Sequence, residues 1–155
     1  MIVGYLSIRK FRILSLHLIV GDDTIVEIKC PYSAREFSPI GALISGIGEV
    51  RTFFDKNDSS KMNNKHAYYF QVQGQLHITK RDYCIFAVWT PSGLHHIIVE
   101  RDDSFWNNNM VSNLCRFYEE CLVPEIVDSR IARTMQIWEP DCFKCKISAE
   151  LKKEN

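Results

Sequence analysis

The sequence predicts an α/β fold in which a mixed central β-sheet is flanked by helices. Two runs rich in β-branched and aromatic residues, 24–30 and 83–90, are bounded by turn-forming residues and predict buried strands. Between these runs, apolar residues recur every four positions from Tyr68 to Leu76, which predicts a helix over residues 66–79. At 155 residues the chain has the usual size of one domain, and no repeat or linker divides it.

The first half of the chain adds a hairpin and a short helix. The pattern predicts a first strand over residues 15–20, and the turn Gly21-Asp22-Asp23 is expected to join it to the strand over 24–30. A capping-box pattern beginning at Ser33 predicts a short helix within residues 33–48.

The second half adds a further hairpin and helix. The turn Pro91-Ser92-Gly93 connects the strand over 83–90 to a fourth strand over 94–101. Asp102 or Asp103 then caps a long helix that runs to about Leu122. The element order is therefore hairpin, helix, helix, hairpin, helix.

Composition narrows the class of protein. Basic and acidic residues both number 19, so net charge is zero and any nucleic-acid contact must come from a local patch. No apolar run reaches the roughly 20 residues that a membrane span needs.

The six cysteines are scattered rather than arranged as a disulfide framework. They indicate reduced thiols of an intracellular protein, without distinguishing nucleus from cytoplasm.

Glu27 and Lys29 are the most informative charged residues. On a strand they point to one face and Ile28 to the other, within a run otherwise suited to burial. A carboxylate can hold a hard divalent cation, and a neighbouring ammonium can offset charge on a phosphate, as in metal-dependent phosphodiester cleavage. The same spacing is common in solvated ion pairs, so the residues alone leave both interpretations open.

Six stretches between about residues 15 and 125 carry a family resemblance. They are EIKCPYSA (27–34), YYFQVQGQL (68–76), CIFAVWT (84–90), IVERD (98–102), FW (105–106) and FYE (117–119). In this order and spacing they resemble the YqaJ-like viral recombinases. These are alkaline exonucleases akin to phage lambda exonuclease, within the PD-(D/E)XK superfamily.

The resemblance implies a restriction-endonuclease-like core and an activity. Such proteins are Mg²⁺-dependent exonucleases that degrade one strand of double-stranded DNA from an end, in recombination or repair, and a ring-shaped homo-oligomer is possible. Residue by residue, Glu27 would be a metal ligand, Lys29 the catalytic lysine and the carbonyl of Ile28 a second metal ligand. Gln71 matches a catalytic-site glutamine on a helix beside the strand, where its amide can bond water, a phosphate oxygen or the Lys29 region. The alternative for Gln71 is an ordinary polar helix face.

His17 departs from the family pattern. Family members carry Ser-Pro-Asp-Gly-Leu with the Asp ten residues before the Glu, and that position here is His17. Imidazole is a poor ligand for Mg²⁺, although Mn²⁺ tolerates it better. Three alternatives stay open: an enzyme that uses His17 with Mn²⁺, an inactive nuclease-fold DNA-binding or assembly protein, and a truncated gene product.

The same resemblance sets the expected domain organisation. We expect one exonuclease-like domain over residues 1–155 that lacks part of its N-terminus, with residues 140–155 as a loose C-terminal tail. Gln73, Lys80 and Arg81 are candidate DNA contacts, and their alternative is ordinary solvated surface.

Overall fold

A computed structural model describes residues 13–130 and 133–136, with side chains from Leu18 onward. The chain divides into two compact units, Met1–Trp106 and Asn107–Asn155. The first unit contains the sheet. The predicted tail over residues 140–155 lies outside the described residues.

The sheet has four strands in the order β1-β2-β3-β4. Both hairpins are antiparallel, whereas β2 and β3 are parallel, so the sheet is mixed and the predicted α/β class is confirmed. The connection from β2 to β3 contains the helices that cover one face. The strands are β1 (Ile13–Val20), β2 (Thr24–Pro31), β3 (Tyr83–Thr90) and β4 (Gly93–Glu100).

The helical segments vary in length and winding. No helix in the described ranges is long and apolar enough to cross a membrane. A 3₁₀ turn spans Tyr32–Ala34, and wide π-type turns span Trp106–Val111 and Tyr118–Leu122. The α-helices are α1 (Pro39–Ser45), α2 (Val50–Phe53), α3 (Ala67–Thr79), α4 (Asp103–Phe105), α5 (Ser112–Phe117) and α6 (Val123–Val127).

The start of α1 differs from the prediction. Ser33 lies in the 3₁₀ turn, and the helix begins at Pro39 with Ser38 as its cap. The Ser38 hydroxyl accepts a hydrogen bond of 3.1 Å from the Gly41 amide. Pro39 fits the first helical position because its fixed φ matches a helix and its missing N–H needs no partner there. The capping box at Ser33 was therefore the wrong start signal.

The core of the first unit lies between the sheet and the helices that connect β2 to β3. Phe53, Phe86, Val72 and Leu76 are fully buried there, and the rings of Phe53 and Phe86 meet edge to face at 6.3 Å. Burial alternates strictly along β2. Because the buried set includes residues 27 and 29, two charged side chains lie on the core face.

Candidate functional site

Glu27 and Lys29 lie side by side in the core. The Lys29 Nζ is 2.5 Å from Glu27 Oε1, and the two side chains are 3% and 0% exposed. On the neighbouring strand, Glu27 pairs with Phe86 and Lys29 with Val88, which are both fully buried. Each charge is thus held in a largely apolar environment, where it requires a partner.

Two glutamines from α3 complete this cluster. Gln71 Oε1 accepts a 3.0 Å hydrogen bond from Lys29 Nζ, while Gln71 Nε2 donates to Glu27 Oε1 at 3.2 Å. Gln75 Nε2 donates to Glu27 Oε2, also at 3.2 Å. The two glutamines are four residues apart and hence on one helix face. Both oxygens of Glu27 therefore accept hydrogen bonds. We call Glu27, Lys29, Gln71 and Gln75 the Glu–Lys centre.

Tyr68 and Cys84 border the Glu–Lys centre. The Lys29 Nζ lies 4.0 Å from the centroid of the Tyr68 ring, a cation–π contact. Burial, with the negative charges of Glu49 and Glu27, raises the pKa of Tyr68 to about 12. Burial and then the charge of Glu27 raise the pKa of Cys84 to about 12. Both groups stay protonated near neutral pH, so neither is an activated nucleophile.

A histidine cap fixes the start of α3. The His66 Nδ1 accepts a 3.1 Å hydrogen bond from the Tyr68 amide, so this nitrogen must be unprotonated. Burial lowers the pKa of His66, opposed by the charge of Glu49 and reinforced by that of Lys29. The neutral imidazole thus sets the position from which Gln71 reaches the centre.

The other predicted metal ligands are His17 and the carbonyl of Ile28. Both residues lie on strands that are paired in the sheet. The register places His17 directly opposite Glu27, although the side chain of His17 lies outside the described residues. Ile28 pairs with Leu16 on one side and Ala87 on the other. The backbone of Ile28 is therefore flanked by a paired strand on each side.

The described side chains do not fit a Mg²⁺ centre. Among them, no group of three or more His, Cys, Asp or Glu residues is placed to hold a metal ion. Mg²⁺ requires a near-octahedral oxygen shell at about 2.0–2.1 Å, usually with one or two carboxylates. Here Glu27 accepts hydrogen bonds at both oxygens and forms an ion pair with Lys29.

Gln73 lies apart from the Glu–Lys centre and is fully buried. Its Nε2 donates to the Glu100 carbonyl and its Oε1 accepts from the Asp102 amide, both at 2.8 Å. These bonds tie α3 to the end of β4. Because both ends of the amide are used inside the fold, we assign Gln73 a structural role and not a DNA contact.

Lys80 and Arg81 follow α3 at the protein surface. Lys80 is exposed and ends the helix in the left-handed conformation, with φ of 55°. Arg81 Nη1 donates a 2.7 Å hydrogen bond to the Gly21 carbonyl, which fastens the β1–β2 turn. Of these two predicted DNA contacts, Lys80 has the exposed side chain.

The predicted site residues Glu27, Lys29 and Gln71 meet in one cluster. Sequence reasoning did not assign Gln75 or Tyr68 to the site. A signal for both existed, because Tyr68 and Gln75 lie three residues before and four residues after Gln71, on the same helix face.

Comparison of the chain with known protein families, with curated proteins and with solved structures found no match.

Proposed function

We propose that this chain has a restriction-endonuclease-like core of the YqaJ-like viral recombinase type and binds the ends of double-stranded DNA without cutting them. The observation that carries the proposal is the position of Gln71, whose amide bridges Lys29 and Glu27 at 3.0 and 3.2 Å. A Glu-x-Lys strand served by a glutamine from an adjacent helix is the arrangement that the resemblance implies.

The topology gives further support. Glu27 and Lys29 lie on the second strand of a hairpin, and the following helix α3 leads to the parallel strand β3. The sheet is mixed and helices cover the face that carries the Glu–Lys pair. This order of elements agrees with a nuclease-type core, whose function we place at DNA ends by the same resemblance.

We infer binding without cleavage from the hydrogen bonds and the ion pair that the carboxylate of Glu27 forms. Cleavage in this family requires a divalent cation, which would act as a Lewis acid on the phosphate. The carboxylate of Glu27 already accepts hydrogen bonds from Lys29, Gln71 and Gln75, and the described residues form no group of three or more His, Cys, Asp or Glu side chains that could hold a metal ion. We therefore assign the Glu–Lys centre to the stability of the core.

The DNA contact is assigned to the exposed end of α3. Lys80 is an exposed cation on the surface, and phosphate contacts by such residues supply most non-specific affinity for DNA. Lys65 is exposed just before the other end of α3 and offers a matched control.

Fluorescence anisotropy with a labelled blunt duplex tests the proposal. In the presence of a chelator we expect salt-dependent binding to the open-ended duplex and weaker binding to the same duplex with both ends closed by hairpins. Lys80→Glu should reduce the affinity for DNA. It should also lower, by about 1, the slope of the logarithm of the binding constant against the logarithm of the salt concentration, whereas Lys65→Glu should change neither quantity. Equal affinity for open and closed ends, or no binding at all, would contradict end recognition.

A metal-dependent exonuclease is the second candidate, because Glu27, Lys29 and Gln71 are all kept in contact. It predicts loss of linear duplex in Mg²⁺ or Mn²⁺, and no loss with the Lys29→Ala variant. A melting curve must first show that the variant is folded. An intact duplex after incubation of the wild-type chain with either metal would exclude this candidate.

A further inference from the structure

Charge at the Glu–Lys centre is already balanced without an added ion. The ammonium of Lys29 lies 2.5 Å from Glu27 Oε1 and neutralises the carboxylate, and Gln75 Nε2 donates to the other oxygen. A divalent cation bound to Glu27 would lie close to the positive charge of Lys29. Because both side chains are buried, water screens that repulsion poorly.

Residue 17 is one of the two backbone positions that pair directly with Glu27 and could change this balance. In the β1–β2 register it is directly opposite Glu27, while Ser15 is opposite Lys29 and Ile19 opposite Ile25. Directly paired residues of antiparallel strands have Cβ atoms about 4.5–5.5 Å apart. Carboxylates at positions 17 and 27 would therefore be close enough to share one cation, with M–O distances of about 2.0–2.1 Å for Mg²⁺.

We propose that the Glu–Lys centre of this chain is closed to divalent cations and that residue 17 is the position that decides this. A cation held by carboxylates at both positions would compete with Lys29, Gln71 and Gln75 for the oxygens of Glu27. The inference concerns cation binding alone and holds or fails independently of DNA binding.

Mn²⁺ titration of the purified full chain tests both halves of the inference. For the wild type we expect no saturable binding by calorimetry, and no selective Mn²⁺ broadening of the NMR signals of Glu27, Gln71 and Gln75. The His17→Asp variant should bind Mn²⁺ saturably, with a rise in Tm of about 5 °C at millimolar metal. Adding Glu27→Gln to that variant should abolish the binding.

Two control variants separate the effect of a carboxylate at position 17 from the effect of an added negative charge elsewhere on β1 and from the effect of the side-chain shape. His17→Asn has nearly the shape of the aspartate without its charge, and Ile19→Asp adds the same charge at an exposed residue paired with Ile25. Neither variant should bind Mn²⁺.

Saturable binding by the wild type that broadens the Glu27 signal would overturn the first half of the inference, that the centre is closed to divalent cations. A folded His17→Asp variant without Mn²⁺ binding would overturn the second. The wild-type NMR titration needs no variant, so a failure of His17→Asp to fold leaves a decisive measurement.

Discussion

Lys29 Nζ and Glu27 Oε1 are 2.5 Å apart in the core of the first unit, and neither side chain is more than 3% exposed. Burial removes two charges from water, a cost that their mutual attraction offsets only when further hydrogen bonds satisfy both groups. Gln71 supplies such bonds to both partners. The pair is thus part of a hydrogen-bonded polar network within an otherwise apolar core.

Truncation of either glutamine should destabilise the fold. Gln71→Ala removes one bond to Lys29 and one to Glu27, and Gln75→Ala removes one bond to Glu27. We expect a loss of about 1–3 kcal/mol in the free energy of unfolding, larger for Gln71. Urea denaturation measures this. Ile78→Ala, at a residue of α3 that is 78% exposed, should cost well under about 1 kcal/mol. Equal small losses for all three variants would argue against the network.

Stability should fall in mild acid because of His66. Folding lowers the pKa of this residue from 6.5, chiefly through burial. As pH falls, the unfolded chain therefore binds a proton before the folded chain does. The contribution of the cap to the free energy of unfolding is thus fully present above pH about 6.5. It is lost as pH falls from there through the lowered value. His66→Asn keeps a capping side chain without the titration and should flatten the pH dependence of unfolding. An unchanged pH dependence in a folded His66→Asn variant would argue against this role of the cap.

Gln73 should matter for stability and not for DNA. Gln73→Leu leaves the Glu100 carbonyl and the Asp102 amide without their partner. A loss of about 2 kcal/mol or more is expected in chemical denaturation, since each buried unsatisfied group costs about 1–3 kcal/mol. Gln73→Glu retains the acceptor for Asp102 and loses the donor to Glu100, so we expect repulsion and again a loss. A folded variant with altered DNA affinity at fixed salt would contradict this assignment.

The main elements were predictable because their signals are local. The run over residues 24–30 combines β-branched residues with a preceding Gly-Asp-Asp turn, and the structure has β2 at Thr24–Pro31. The four-residue spacing from Tyr68 to Leu76 likewise gave α3. The start of α1 was missed because two serines, Ser33 and Ser38, both suit a cap, and the Pro39 that follows Ser38 decides between them.

The site was less predictable because it depends on packing between elements. Spacing placed Glu27 and Lys29 on one face of a strand, but periodicity alone did not say whether that face meets water or the core. The buried outcome depends on α3 lying over β2 with Gln71 and Gln75 at the contact. For the same reason the sequence predicts a DNA contact for Gln73, because its burial depends on the position of the β4–α4 corner, far along the chain.

A double-mutant cycle on Glu27 and Lys29 measures whether the two side chains form an ion pair that stabilises the core. Lys29→Met leaves a buried carboxylate without its counter-ion and should lower the free energy of unfolding by about 3–5 kcal/mol. Adding Glu27→Gln removes that uncompensated charge and should restore part of the loss, giving a coupling energy above about 1 kcal/mol in urea denaturation at neutral pH. A loss below about 0.5 kcal/mol for Lys29→Met, or strictly additive effects, would contradict a buried ion pair at the centre of this fold.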